Sequence, residues 1–150
     1  MYKLREVVEN DRELLFGWAN DPDVRANAKN SKPITWDEHV VWFNNKLSNE
    51  FTHMYILGNL QENIGIVRFD KTLEGYVISY SIDKNYRGKG FGKLVLKEGL
   101  KNLGVIVDNP NLLAYVKKGN IASEKIFDKL GFVLKREEII NNIKFNIYQK

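Results

Sequence analysis

The sequence has no cysteine and only two histidines, His39 and His53, among its 150 residues. Without cysteine the chain can form neither a disulfide nor a thiol nucleophile. With so few histidines, a zinc site of the His/Cys type and a hydrolase triad are not expected, and we predict no metal site. The missing cysteines favour a reducing, cytoplasmic location.

Long apolar runs are missing as well. No stretch of about 18 apolar residues occurs, so we expect no membrane-spanning helix and no membrane partner. The opening segment MYKLREVVENDREL lacks the uninterrupted apolar core of a secretory signal. No nucleic-acid recognition motif occurs, and the net charge of +4 is modest, so nucleic-acid binding is not expected.

The composition is that of a globular protein, with 43% hydrophobic and 28% charged residues. A chain of 150 residues without repeats or linkers fits a single domain, residues 1–150, that can bury a core. The net charge of +4 suits an anionic ligand, although a lysine-rich proteome produces the same balance.

Hydrophobic periodicity and turn residues predict the element order β-α-α-β-β-β-α-β-α-β-β, a mixed α/β fold with helices on a sheet. The predicted strands cover residues 2–8, 51–57, 64–69, 75–83, 112–116, 132–139 and 143–148. The predicted helices follow Asn10, the capping box of Thr35 and Glu38, the glycine-rich stretch 88–92, and Asn120. Residues 20–33 are predicted to break the first helix and form a polar loop.

Two periodic patterns predict which side chains face the core. In the second helix the predicted core stripe is Trp36, Val40, Phe43 and Leu47, with His39 and Trp42 at its border with solvent. In the strand YVISYSID, Tyr76, Ile78, Tyr80 and Ile82 share one face, and Val77, Ser79 and Ser81 share the other.

The stretch YRGKGFGK carries glycines at 88, 90 and 92. It matches neither the dinucleotide fingerprint nor the P-loop, because the glycines are wrongly spaced for both. A strand followed by glycines and a helix start nevertheless leaves backbone N–H groups unpaired and lets a ligand approach them. Arg87, Lys89 and Lys93 add positive charge, so the stretch predicts a phosphate or pyrophosphate site. The alternative is a flexible turn with solvated cations.

Two segments, IDKNYRGKGFGKLVL and NIASEKIFDKLGF, resemble the two cofactor-binding motifs of the GNAT N-acetyltransferase family. The family pattern R/Q-x-x-G-x-G/A places Asn85 at its leading position, but the common variant with Arg87 fits directly. The resemblance covers the whole chain in element order. It implies the GNAT fold: an α/β protein whose mixed, mostly antiparallel central sheet has helices on both faces and splayed strands at the cofactor site.

The resemblance also implies acetyl-CoA as co-substrate and a primary amine as acceptor. The amides of the glycine stretch are expected to hold the CoA pyrophosphate, and the strand edge near residues 81–83 is expected to pair with the pantetheine arm. The implied cofactor-binding residues are Ile82, Asp83, Arg87, Gly88, Lys89, Gly90, Phe91, Gly92, Lys93, Asn120, Ser123 and Phe127. For Asn120 the alternative is a helix N-cap.

The chain departs from the family at two positions that carry chemistry. Phe127 stands where the family commonly has a proton-donating tyrosine, and Val77 stands where many relatives have a glutamate. Water can remove the amine's proton, and a thiol leaves tolerably without an acid. If a side chain assists, Tyr80 is the first candidate and Tyr86 the second. Ser79, with Ser81, could hold a water. The alternatives are that Tyr80 is a core aromatic and that Ser79 and Ser81 are ordinary strand serines.

The front half, which contains WANDPDVR and ITWDEHVVWF, resembles the nucleotide-activated amino-sugar N-acetyltransferases of the pseudaminic acid pathway, and next the ribosomal-protein-type N-terminal acetyltransferases. It implies a nucleotide-sugar acceptor met by Arg25, His39 and Trp42 or Trp18. The alternatives are that Arg25 pairs with a neighbouring aspartate and that Trp18 is core. Also left open are a protein N-terminus or polyamine as acceptor, an acetyl-CoA-binding module without turnover, and a homodimer.

Overall fold

The structure is a computed structural model that describes residues 1–150. Its strands are β1 (Lys3–Glu6), β2 (Thr52–Gly58), β3 (Asn63–Thr72), β4 (Gly75–Ile82), β5 (Leu112–Lys117), β6 (Val133–Ile140) and β7 (Ile143–Gln149). Its helices are α1 (Arg12–Ala19), α2 (Pro22–Ala26), α3 (Trp36–Ser48), α4 (Phe91–Ile106) and α5 (Ile121–Lys129). Short 3₁₀ turns cover Glu9–Asp11 and Lys84–Tyr86. None of the helices combines the length and apolar character that a membrane span requires.

The seven strands form one sheet in the order β1-β2-β3-β4-β5-β7-β6. All neighbouring strands run antiparallel except β4 and β5, which are parallel. The β4–β5 pairing covers only residues 76–78 against 112–114, so the two strands separate towards their carboxyl ends. The predicted mixed, mostly antiparallel sheet with splayed central strands is therefore confirmed.

The predicted element order is confirmed with one exception in the front half. Residues 20–33 contain a short helix, α2, where we predicted only loop. Asp21 caps this helix by accepting hydrogen bonds from the N–H groups of Asp23 and Val24, and Pro22 occupies its first position. Proline is favoured there because the first helical N–H has no partner in any case. The residues that end α1 thus also begin α2.

Helices cover both faces of the sheet. On one face α4 and α5 pack on the central strands, and the buried side chains there include Leu57, Val67, Phe69, Ile78, Val95, Leu96 and Phe127. On the other face α1 and α3 pack on β2 through Leu15, Trp18, Phe43, Met54 and Ile56. The alternation predicted for β4 is confirmed, because Tyr76 and Ile78 lie in the first cluster and Val77 contacts a third cluster on the opposite face.

The core stripe predicted for α3 is partly wrong. Phe43 is fully buried, but Trp36 and Leu47 are 40% and 39% exposed. His39, predicted at the border, is only 1% exposed. Its Nε2 lies 2.8 Å from the carbonyl oxygen of Arg12. This hydrogen bond to α1 satisfies the imidazole and lets a polar ring occupy the core. The buried face of α3 therefore contains His39 and Phe43 and leaves Trp36 and Leu47 partly exposed.

Gly99 allows α4 to approach the sheet closely. A Cβ atom at this position would lie 2.8 Å from Val67 Cγ1 and 3.2 Å from Phe69 Cζ, whereas a Cβ at Gly104 in the same helix would meet nothing within 4 Å. We expect Gly99→Ala to lower the free energy of unfolding by roughly 1–3 kcal/mol through overpacking. The matched control Gly104→Ala should raise it by about 0.5–1 kcal/mol. Urea unfolding measures both, and equal effects of the two changes would refute the close approach.

Candidate functional site

The glycine stretch joins the 3₁₀ turn after β4 to the start of α4. Gly88 and Gly90 adopt positive φ angles of 76° and 85°, a region that favours glycine. Gly90 is the N-cap of α4, and no side chain caps this helix end. The six backbone N–H groups from Gly88 to Lys93 donate to no protein acceptor. A row of free amides at a helix N-terminus is suited to bind a phosphate-type anion.

The surroundings of this loop are open on one side and tight on the other. A Cβ atom added at Gly88 or Gly90 would meet nothing within 4 Å. At Gly92 it would lie 3.0 Å from Ile126 Cδ1 and 3.3 Å from Tyr80 Cε2. Gly92 therefore lets α4 pack against α5 and β4, while the two preceding glycines leave the amides accessible to a ligand.

The predicted charge of Arg87 is neutralised in the structure. Its guanidinium lies 3.0 Å from Asp21 and 2.9 Å from Asp23, and its Nε donates to the carbonyl oxygen of Ile82 at 3.0 Å. These contacts tie the loop to α2 and correct the expectation that Arg87 adds free positive charge. Lys93 is exposed on the first turn of α4, and the ammonium of Lys89 lies 5.9 Å from the centroid of the Tyr86 ring.

The separation of β4 from β5 opens a gap directly before the loop. The Tyr76 N–H donates towards the β5 side, to Asn111 at 2.8 Å, and the Asp83 N–H donates to Ile64 on the β3 side at 2.8 Å. Because backbone groups alternate along a strand, those of Tyr80 and Ile82 face the gap. The Asp83 carboxylate accepts from Trp18 Nε1 at 2.8 Å, so its side chain fastens α1 to the end of β4. Trp18 is core, 7% exposed.

The first turn of α5 lies across the gap. Asn120 caps this helix by accepting from the Ser123 N–H at 3.4 Å, which is the alternative role considered for it. The hydroxyl groups of Ser123 and Tyr80 share a hydrogen bond of 2.7 Å. Burial raises the pKa of Tyr80, and the bond to Ser123 opposes this effect. The structure thus brings together two predicted site residues from different elements.

Phe127 does not present a surface to a ligand. Its ring is 2% exposed and packs edge-on against Tyr80 and Phe132, with centroid distances of 6.0 and 5.1 Å. The ring also stacks on Tyr148 at 6.5 Å. The prediction that Phe127 contacts the cofactor is therefore wrong for this arrangement, because neighbouring aromatic rings cover it.

The other two candidates for catalysis lie apart from Tyr80 and Ser123. The Tyr86 hydroxyl donates to Glu62 Oε1 at 3.0 Å, in the turn between β2 and β3. Ser79 lies on the opposite face of β4, where its Oγ accepts from Arg68 at 3.2 Å. The Tyr86 hydroxyl is thus hydrogen-bonded to a carboxylate outside the gap. Because Ser79 and Tyr80 lie on opposite faces of β4, their side chains cannot both contact the same reacting atom.

The predicted acceptor residues do not form one site. His39 is buried, and burial lowers its pKa, so it is a neutral core residue and the prediction that it meets phosphates is wrong. Trp42 is half-buried between the His39 ring, 5.6 Å away, and the Arg68 guanidinium, 5.1 Å away. His39 lies on α3 and Arg68 lies on β3, so these contacts of Trp42 do not connect it to Arg25.

Arg25 organises the segment of residues 20–34, which we call the bridging segment. Its Nε donates to the carbonyl oxygen of Ala19 at 2.7 Å and its Nη1 to that of Asn30 at 3.0 Å. It pairs with neither Asp21 nor Asp23, which bind Arg87 instead. Arg25 also lines a cavity of about 420 Å³ together with Asn20, Pro22, Ala26, Ser31 and Pro33.

The bridging segment spans the gap from β4 to β5. At the β4 end it is held by Arg87, and at the β5 end the Lys117 ammonium donates to the carbonyl oxygen of Ala26 at 2.7 Å. The Lys29 ammonium lies 4.0 Å from the centroid of the Tyr115 ring, and Asn141 donates to the Lys29 carbonyl at 2.9 Å. Sequence reasoning missed these contacts because they join three elements that share no local motif.

This end of the gap carries an excess of positive charge. Three lysines come from the bridging segment and from β5: Lys29, Lys32 and Lys117. None of the three has a carboxylate partner. A surface of this kind attracts anionic molecules over polycations.

Comparison with known proteins agrees with this architecture. The family model described as "Acetyltransferase (GNAT) domain" matches residues 2–133. An uncharacterized protein of Methanocaldococcus jannaschii is 27% identical over 86% of this chain, which spans only 27% of that protein's length. The acetyltransferase PseH of Campylobacter jejuni strain 81-176 is 28% identical over 92% of this chain and 88% of its own length.

Two solved structures share the fold at low identity. The spermidine N-acetyltransferase of Vibrio cholerae in complex with CoA and spermine superposes with a TM-score of 0.83, at 16% identity, over 99% of this chain and 92% of that one. RimL, a ribosomal L7/L12 alpha-N-protein acetyltransferase in complex with CoA, gives 0.83 and 16% over 99% and 93%. With a family match over most of its length, this chain belongs to the GNAT acetyltransferase family.

Proposed function

We propose that this protein transfers the acetyl group of acetyl-CoA to a primary amine. The observation that carries the proposal is the row of six free amides from Gly88 to Lys93, which lies where the β4–β5 gap opens. The amides would hold the pyrophosphate, and the free backbone edge of Tyr80 and Ile82 would pair with the pantetheine amides. Lys89 and Lys93 would supply the positive charge. Asn120 and Ser123 would border the arm.

In the reaction the neutral amine attacks the thioester carbon, the C–S bond breaks, and the thiolate leaves. The amine loses one proton and the thiolate gains one. In this proposal Tyr80 donates a hydrogen bond to the departing sulfur, and its hydroxyl is held by Ser123 at 2.7 Å. Because burial raises the Tyr80 pKa, its phenol stays protonated at neutral pH and stabilises the thiolate mainly as a donor. Water takes the amine's proton, since position 77 carries a valine and not a carboxylate that could act as the base.

The proposed acceptor is an anionic, nucleotide-linked amino sugar. Support comes from the lysines around the bridging segment and from the similarity to PseH over 92% of the chain. A polyamine would be repelled by the same lysines, although the fold is shared with a spermidine N-acetyltransferase. The cavity lined by Arg25 is the surface proposed to meet the acceptor, and Trp42, which lies between His39 and Arg68, is not part of it. A cytoplasmic location is part of the proposal and rests on the absence of cysteine.

Thiol release from acetyl-CoA, followed with UDP-amino-sugars, peptides and spermidine as acceptors, tests the proposal. We expect steady release with a UDP-amino-sugar and little with spermidine. Release with a peptide or spermidine alone would refute the anionic acceptor but keep the acetyltransferase. Tight binding of acetyl-CoA without release in the presence of any amine would leave a binding module and refute the enzyme.

Removing positive charge beside the gap should weaken acceptor binding selectively. Lys29 and Lys32 are suitable, because neither side chain forms an ion pair. We expect the Lys29→Met, Lys32→Met double variant to raise the acceptor KM roughly 2- to 30-fold, from about 0.2–1 kcal/mol per surface charge, and the effect to shrink at high salt. Lys101→Met on α4 is the control. An unchanged acceptor KM would contradict the proposal that the acceptor is anionic.

A further inference from the structure

A single carboxylate outside the gap joins the segments that flank the glycine loop. Glu62, in the turn between β2 and β3, accepts from the Tyr86 hydroxyl through Oε1 at 3.0 Å. Its Oε2 accepts from the Tyr2 hydroxyl at 2.9 Å. The turn is itself fixed, because the side chain of Asn59 accepts from the Glu62 N–H at 2.8 Å. Glu62 therefore connects the chain start, the β2–β3 turn and the 3₁₀ turn before the glycines.

The two tyrosines hold the far end of the glycine loop as well. Phe91, the first residue of α4, lies edge-on to Tyr2 at 5.2 Å and to Tyr86 at 6.2 Å between ring centroids. Tyr86 precedes the loop and Phe91 follows its first two glycines. Edge-to-face contacts of this kind have defined geometry. Tyr86 and Phe91 thus belong to one aromatic cluster with Tyr2, and the two tyrosine hydroxyls of this cluster donate to Glu62.

The loop between these ends has no packing of its own. Gly88 and Gly90 have open space where a side chain would be, and the amides from Gly88 to Lys93 have no protein acceptor. Glycines with free amides populate many backbone conformations unless their ends are held. The conformation of the proposed phosphate-binding amides therefore depends on the contacts at Tyr86 and Phe91.

We propose that Glu62 is a positioning residue: it holds Tyr86 and Tyr2 so that the amides of residues 88–93 keep the conformation that binds the CoA pyrophosphate. This inference rests on the proposed use of acetyl-CoA. A positioning role and a purely electrostatic role predict opposite changes in CoA affinity, because a carboxylate near a diphosphate disfavours binding electrostatically. If Glu62 acted only through its charge, removing it would tighten CoA binding. If Glu62 acts by positioning, removing it weakens CoA binding.

The experiment measures the affinity for CoA by calorimetry and amide hydrogen exchange without ligand. We expect Glu62→Ala to raise the Kd for CoA about tenfold, the scale of losing a hydrogen bond to a charged acceptor, and to speed exchange within residues 84–93 several-fold. Tyr86→Phe, which keeps the ring, should give part of both effects. Glu62→Gln keeps one acceptor oxygen and should fall between wild type and Glu62→Ala. The value of kcat at saturating acetyl-CoA should stay unchanged.

Glu74→Ala is the matched control, since Glu74 also lies in a hairpin turn and binds Lys135 and Arg136 far from the loop. It should leave the Kd and the exchange of residues 84–93 unchanged. Unchanged or tighter CoA binding by Glu62→Ala, with wild-type exchange in the loop, would overturn the positioning role. Failure of the wild-type protein to bind CoA at all would instead overturn the proposed function.

Discussion

We expect Gly90→Asp to abolish acetyl-CoA binding while leaving the fold intact. Gly90 is the N-cap of α4 with a φ of 85°, and a Cβ there would meet nothing within 4 Å. The cost to stability is therefore limited to backbone strain of about 1–2 kcal/mol. The new carboxylate would lie among the free amides and compete with the pyrophosphate for them. At about 4 Å and an effective dielectric constant of about 20, like charges repel by roughly 4 kcal/mol, near a thousandfold in affinity.

Gly90→Asn separates charge from backbone strain. Asparagine has nearly the same shape as aspartate, tolerates positive φ and carries no charge. The Asn variant should lose only a few-fold in affinity, and the difference between the two variants measures the repulsion. Calorimetry with CoA, together with circular dichroism for the fold, gives both numbers. Equal affinities of wild type and the Asp variant would show that the pyrophosphate binds elsewhere.

The glycine loop and the elements on either side of it were predictable because their determinants are local. Strand β4, the glycines at 88, 90 and 92, and the start of α4 are contiguous, and the free amides follow from backbone geometry alone. The Tyr80–Ser123 hydrogen bond was harder to predict, because the two residues are 43 positions apart and only the fold brings them together. The alternation along β4 indicated the face of Tyr80 but not its partner.

The contacts of Arg25, His39 and Arg87 were poorly predicted, because residues distant in the sequence decide the role of each. Helical spacing placed His39 at the border, but a carbonyl 27 positions away takes it into the core. Arg87 looked like a free cation, but Asp23, 64 positions away, and Asp21 neutralise it. That exchange of partners also leaves Arg25 without a carboxylate. A side-chain pairing of this kind has no periodic signal in the sequence.

The Tyr80–Ser123 pair carries the second large expected effect. Tyr80→Phe removes the phenol hydroxyl that meets Ser123 between β4 and α5, next to the Phe127 ring that cannot supply a proton. We expect kcat to fall roughly 10²-fold, the lower end for losing one hydrogen-bond donor that stabilises charge in the transition state, with the KM for acetyl-CoA changed less than about twofold. This pattern is that of an interaction made mainly in the transition state. Steady-state kinetics with a saturating acceptor measures it.

Two further variants decide whether the hydroxyl or the ring packing matters. Tyr148→Phe makes the same chemical change beside the same Phe127 ring, 6.5 Å away, and should leave kcat unchanged. Ser123→Ala frees the Tyr80 hydroxyl to rotate and should lower kcat several-fold. If the two hydroxyls act as a unit, the double variant is no slower than Tyr80→Phe alone, because the second loss removes nothing further. A wild-type kcat for Tyr80→Phe would leave proton transfer entirely to water and make Tyr80 a core aromatic.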